Sequence, residues 1–124
     1  VADYTDSNVP GWHRTYTASA AITGAALVVL TAANTVTTAA GTANEPVVGI
    51  AAHDAASGDT VTVARGGVQR PIAAGTITLG SYIKSAASGQ VTTFVVGTDN
   101  PVAALGIAIE AGTASNPIRV LWFH

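Results

Sequence analysis

The feature that most constrains the fold of this chain is an internal repeat. Ile22-Thr23 returns as Ile77-Thr78, Val36-Thr37-Thr38 as Val91-Thr92-Thr93, and Pro46-Val47 as Pro101-Val102, each 55 residues later. After a slip of two residues, Gly49-Ile50-Ala51 returns as Gly106-Ile107-Ala108, and Val61 and Val63 as Ile118 and Val120, each 57 residues later. The matched positions are apolar β-formers punctuated by glycine and proline, which describes one short β-unit used twice. Two units that each carry an apolar face bury those faces most readily against each other. The pattern is that of a scaffold.

The rest of the chain agrees with this reading. Thr60-Val61-Thr62-Val63 alternates cleanly, with the valines facing in and the threonines out. Ala25 to Thr31 is a short buried run, and Gly24 argues against a helix over 17–33. Turn signals recur every 8–12 residues, the spacing of an all-β barrel or sandwich. Gly49, Gly58, Gly66, Gly67 and Gly106 are assigned to structural turns, and Arg65-Gly66-Gly67 to a kink or bulge. Alanine clusters over 51–57 and 108–115 are candidates for a short helix.

Residues 1–16 have a different texture. They hold Asp3, Asp6, Pro10 and Gly11, with Tyr4, Trp12 and Tyr16 among few aromatics, and show no sustained period. The segment reads as an extended N-terminal arm with aromatic anchors. The expected organisation is an arm over 1–16 and one β-barrel or β-sandwich domain over 17–124, with pseudo-repeats at about 22–63 and 77–120.

Only 10% of the residues are charged, against a usual value of about 25%, and 48% are apolar. Threonine, serine and asparagine must therefore wet the surface, a composition suited to a protein docked against others. Net charge is −2, and the five basic residues, Arg14, Arg65, Arg70, Lys84 and Arg119, are scattered. A nucleic-acid partner is not expected without a basic stripe. The longest apolar stretch, 18–33, is broken by Thr23, Gly24 and Thr31, so neither a membrane span nor a signal peptide is expected. Cysteine is absent, which removes disulfides and thiolate chemistry.

No catalytic set emerges. His13, His53 and His124 lack metal-ligand spacing, and no phosphate-binding loop or nucleophile elbow is present. His53-Asp54 with Glu110 is the thin basis for a hydrolase, and Glu45 with Glu110 for a carboxylate pair. The expectation is a non-enzyme with no cofactor and no metal.

The run Pro46-Val47-Val48-Gly49-Ile50-Ala51-Ala52-His53-Asp54-Ala55-Ala56-Ser57-Gly58-Asp59-Thr60-Val61-Thr62-Val63 resembles the small capsid decoration (cement) proteins of tailed bacteriophages. So do Gly67-Val68, Ala74-Gly75-Thr76-Ile77, Ser88-Gly89-Gln90-Val91 and Leu105-Gly106-Ile107-Ala108. The likeness covers roughly residues 22–121 and leaves out the arm and the terminal Leu121-Trp122-Phe123-His124. It implies a β-barrel or sandwich on the outer surface of the expanded head, assembled in the host cytoplasm. The implied partners are the major capsid protein and other copies of the chain, as a homotrimer. On this reading Tyr4, Trp12, His13, Arg14 and Tyr16 of the arm contact the capsid. The alternatives are a head-fibre, tail or collar module of the virion, or a carbohydrate-binding β-domain using Trp12, Tyr82 or Trp122.

Overall fold

The structure, a computed structural model, describes residues 12–42 and 45–123. It is all-β, as the repeat requires. The first unit contains β1 (Trp12–Ala18), β2 (Leu27–Ala32), β3 (Thr35–Thr38), β4 (Val47–Ala51) and β5 (Thr60–Arg65). They close into a barrel in the order β1-β3-β2-β4-β5, with β1 antiparallel to β5 and parallel to β3. The second unit contains β6 (Val68–Gln69), β7 (Tyr82–Ser85), β8 (Val91–Thr93), β9 (Gly106–Ala108) and β10 (Val120–Trp122). Its sheet runs β6-β10-β9-β7-β8, which is the same cyclic order. The seam that β1 and β3 close in the first unit is reduced here to one parallel bridge, Ala73 with Val91.

The duplication extends to individual hydrogen bonds. The Ala18 N–H donates to the Asp59 carbonyl, and Ala73 donates to Asn116. Ile22 bridges Ala55, and Ile77 bridges Gly112. The interior is equally conserved between the units. Ala18, Ile22, Val28, Val36, Ala51, Val61 and Val63 fill the first barrel. Their equivalents Ala73, Ile77, Ile83, Val91, Ala108, Ile118 and Val120 belong to a second, larger cluster. That cluster also takes in Leu27, Val29, Val47, Ile50 and Ala64, so the outer face of the first barrel is buried at the junction of the units. This explains why Leu27-Val28-Val29 is apolar throughout: both of its faces are covered.

Several boundaries differ from the sequence expectation. Residues 12–16, read as the end of the arm, lie in β1, where His13 pairs with Ala64 and Tyr16 with Val61. The strand was hidden because its repeat partner, 67–73, shares only the alanine at Ala18 and Ala73. The rest of the arm, 1–11, lies outside the described residues. The alanine clusters form bends and bridges instead of a helix, because Ala55 and Gly112 are tied across the unit to Ile22 and Ile77. The two-residue slip is a 3-10 turn, Pro101–Ala103, capped by the Asn100 side chain accepting from the Val102 N–H.

Gly58, Gly66 and Gly67 do sit in turns with positive φ. Gly49 and Gly106 lie in strands β4 and β9 and not in turns, Gly49 with a nearly extended φ of 158°. A Cβ at Gly49 would collide with the Ala64 carbonyl and stand 2.6 Å from Val63 Cγ1. At Gly106 it would collide with the Leu121 carbonyl and stand 2.8 Å from Val120 Cγ1. These glycines permit the close approach of two strands, at the same place in both units.

Candidate functional site

The repeat divides the surface into positions whose equivalents are buried and positions whose equivalents are not. On the outer face of the second sheet, the register sets Val68 opposite Leu121, Leu121 opposite Ile107, and Ile107 opposite Tyr82. Directly opposed side chains on one sheet face stand about 5 Å apart, so the four residues form a continuous apolar row. Phe123 extends it, its ring meeting Tyr82 edge-on at 6.0 Å between centroids. Tyr82 is 43% exposed, Leu121 46%, Val68 52% and Phe123 56%. In the first unit the matching row is His13, Ala64, Ile50 and Leu27. There Ala64, Ile50 and Leu27 are buried beneath the second unit. A contiguous apolar stripe of this kind is the usual signature of a contact surface.

A second feature opens at one end of the first barrel. His13, Arg14, Tyr16, Val48, Val63 and Arg65 line a cleft of about 270 Å³. The Arg14 guanidinium lies 5.1 Å from the centre of the Tyr16 ring, and its Nη2 donates to Asn34 Oδ1 at 2.8 Å. The first contact is a cation–π pair and the second orients the guanidinium. In the second unit the same end is filled, because Leu105 stands at the position of Val48 and Trp122 at that of Arg65, both buried. This end of the first unit is thus cationic and open, and that of the second apolar and filled.

Of the residues read as an arm contact surface, His13, Arg14 and Tyr16 come together at this cleft. Trp12 begins β1 opposite Arg65. Tyr4 lies outside the described residues. Arg65 joins the group by strand pairing alone, a proximity that sequence separation conceals. In the sequence, Leu121 and Phe123 stand out in the terminal segment that departs from the resemblance and is expected to help set which capsid the chain fits, whereas Val68 and Ile107 do not stand out. Their signal was in the repeat: Tyr82-Ile83-Lys84 alternates where Leu27-Val28-Val29 does not.

The residues considered for catalysis are each engaged in the scaffold. His53 Nε2 accepts from the Thr62 N–H at 3.2 Å, and Glu110 Oε2 accepts from the Arg119 N–H at 2.9 Å. These are equivalent positions doing the same work in different units. Asp54 Oδ1 accepts from the Gly24 N–H at 2.7 Å. Glu45 accepts from the Ala40 and Gly41 N–H groups and from the Ser85 hydroxyl, which ties the first unit to the second. Trp122 is buried and offers no stacking platform, whereas Tyr82 is accessible. Among the described residues no group of three metal-ligating side chains converges, and no helix is long and apolar enough to cross a membrane.

A family model described as phage cement protein matches residues 10–121. Among solved structures, the chain is similar to the head fiber gp8.5 N base of bacteriophage phi29, with a TM-score of 0.70 and 17% identity. The likeness covers 91% of this chain and 94% of that one, and at such identity it is a likeness of fold. No curated protein matches the sequence.

Proposed function

Since the chain belongs to the phage cement protein family and is a structural protein of the phage virion, we propose that it decorates the outer surface of the expanded head. There it would bind the major capsid protein and tie neighbouring subunits together against the pressure of packaged DNA. Copies assemble in the host cytoplasm and sit on the shell as homotrimers. The observation that carries this reading is the family match over nearly the whole described chain. The build of the molecule supports it: two rigid β-units, few charges, and apolar surface left open for partners. Modest contacts suffice, because repetition over a shell supplies avidity.

The capsid contact is assigned to the arm and the cleft beside it, that is to Tyr4, Trp12, His13, Arg14 and Tyr16. Two arginines and an aromatic ring around an open cleft suit an acidic or carbonyl-rich segment of a shell protein. The reading is tested by co-sedimentation with expanded heads lacking the protein, alongside unexpanded procapsids. Saturable binding to expanded heads only is expected, and no binding to either shell overturns it. The arm is tested by removing residues 1–11, since removing 1–16 would also take out most of β1 and open the barrel.

The likeness to the phi29 head fiber base favours a second reading, in which the chain is the capsid-proximal base of a fibre. Electron microscopy of decorated heads separates the two. Low protrusions flush with the shell support a cement role, and long projections support a fibre.

A further inference from the structure

One part of the junction between the two units is a hairpin tip seated on the first unit, and residues equivalent to the tip and to two of its receiving positions recur, exposed, elsewhere on the same chain. At the junction, the tip of the second unit's hairpin (86–89) lies against the first unit. The Gly89 N–H donates to the Ala39 carbonyl at 2.9 Å. A Cβ at Gly89 would stand 2.7 Å from Ala26 Cβ and 3.0 Å from the Leu27 nitrogen, and one at Gly41 would stand 2.8 Å from the Ala86 carbonyl carbon and the Ala87 nitrogen. By the repeat, the tip residues Ala86, Ala87 and Gly89 correspond to Thr31, Ala32 and Asn34, all exposed at the tip of the first hairpin. Leu30 beside them is 40% exposed. The receiving residues Leu27 and Gly41 correspond to Tyr82 and Val96, and Val96 is 78% exposed.

From this we infer that copies of the chain associate head to tail, the first hairpin tip of one copy docking on the stripe side of the second unit of the next. The contact repeats the hairpin-tip part of the intrachain junction between chains, while the interior of the first barrel, closed on itself, takes no part. It deepens the trimer reading above and rests on it, by naming the surfaces through which copies meet. Because the two surfaces differ, the contact is heterologous, and it closes into a ring when the rotation between copies divides a full turn. The substitutions between the units fit a wider contact of the same plan. Asn34 stands where Gly89 allows backbone approach, and Tyr82 stands where Leu27 is buried. Side-chain area, supplied by Tyr82, Leu121 and Phe123, thus replaces close backbone packing. Few charges interrupt the patch, and Lys84 beside it is neutralised by Asp99 at 2.8 Å.

The absence of cysteine makes the test direct. Ala32→Cys and Val96→Cys are prepared as separate full-length variants, one carrying a size tag, and oxidised mildly alone and mixed. Their equivalents, Ala87 and Gly41, are in contact, a Cβ at Gly41 standing 2.8 Å from the Ala87 nitrogen. The expected result is a mixed cross-linked dimer in at least about tenfold higher yield than either variant gives alone, with Tyr82→Ser weakening association by about tenfold or more. Sedimentation of the unmodified chain is measured alongside. A chain that sediments as an oligomer without the mixed cross-link overturns the surface assignment and leaves association standing. A monomer without the cross-link overturns both. If Tyr82→Ser abolishes binding to heads while the free chain is monomeric, the stripe belongs to the capsid protein and the inference falls.

Discussion

The first and second units share one strand order and one set of interior positions, yet among the described residues only the first has its outer face covered. Val28 and Ile83 are both fully buried inside their units, whereas Leu27 is 0% exposed and its equivalent Tyr82 43%. Ala64 is 6% exposed and its equivalent Leu121 46%. The inside of a five-stranded unit is constrained by its own closure, so duplication preserves it nearly residue for residue. The outer face is constrained by whatever lies on it, and there the two copies have diverged. A buried face keeps Leu, Ile and Ala that pack closely, and an open one acquires a Tyr and a Phe whose rings supply contact area to a partner.

That comparison breaks first at the strand glycines. Gly49→Ala and Gly106→Ala each push a Cβ into a neighbouring strand's carbonyl, at Ala64 and Leu121 respectively. Backbone cannot give way as a side-chain end can, so each variant should lose about 3 kcal/mol or more, read by chemical denaturation. Comparable losses are expected, because the close approach belongs to the shared plan. A far smaller loss for Gly106→Ala would mean that the second unit tolerates a shift that the closed barrel does not.

The outer face gives the opposite expectation, an unequal pair. Leu27→Ala empties a fully buried site at the junction and should cost about 2–5 kcal/mol. Tyr82→Ala, at the equivalent position on the open face, should cost the isolated chain under about 1 kcal/mol. Denaturation midpoints measured at low protein concentration separate folding from association. Equal costs would show that Tyr82 is part of the folded core and not of a free surface.

Much of this was legible in the sequence because the interior pattern survives duplication. The seven interior pairs include Ile22 with Ile77, Val36 with Val91 and Val63 with Val120, and these made the repeat visible. The all-β class, the turns at Gly58 and Gly66-Gly67 and the β5 alternation follow from local pattern. What could not be read was set by pairing over long separations. β1 is rich in polar residues and matches its partner segment at a single alanine, so it passed for part of an arm. Gly49 and Gly106 read as turn glycines because a sequence does not show which strand approaches which. The cleft needs Arg14 and Arg65 on adjacent strands, and the stripe needs four strands in register. Neither surface is contiguous in the chain.

The smallest expected effect lies in the loops that follow β3 and β8. Each unit uses a carboxylate to hold the loop: Glu45 accepts from the Ala40 N–H at 3.0 Å, and Asp99 Oδ2 accepts from the Val95 N–H, the equivalent position, at 2.7 Å. Their second partners differ. Glu45 reaches across the junction to Ser85, so Glu45→Ala should cost about 1–2 kcal/mol through the groups it leaves unpaired. Asp99 instead pairs with Lys84 inside its own unit, on the solvent side. The Lys84 hydrogen bond, followed by that from the Val95 N–H, holds the Asp99 carboxyl below its ordinary value of 3.8. A carboxyl with a lowered folded pKa stabilises the fold fully above its unfolded value. It loses that contribution as pH falls from 3.8 through the lowered value, because the folded state then also takes up the proton. Asp99→Asn should therefore lower stability slightly at neutral pH, and the difference from the parent chain should vanish in acid below that window. Thermal melts of the two proteins from neutral pH down to about 2 check this. A gap that stays constant with pH would show that neither the ion pair nor the charge-assisted Val95 hydrogen bond sets it, and would remove both from the account of the second unit.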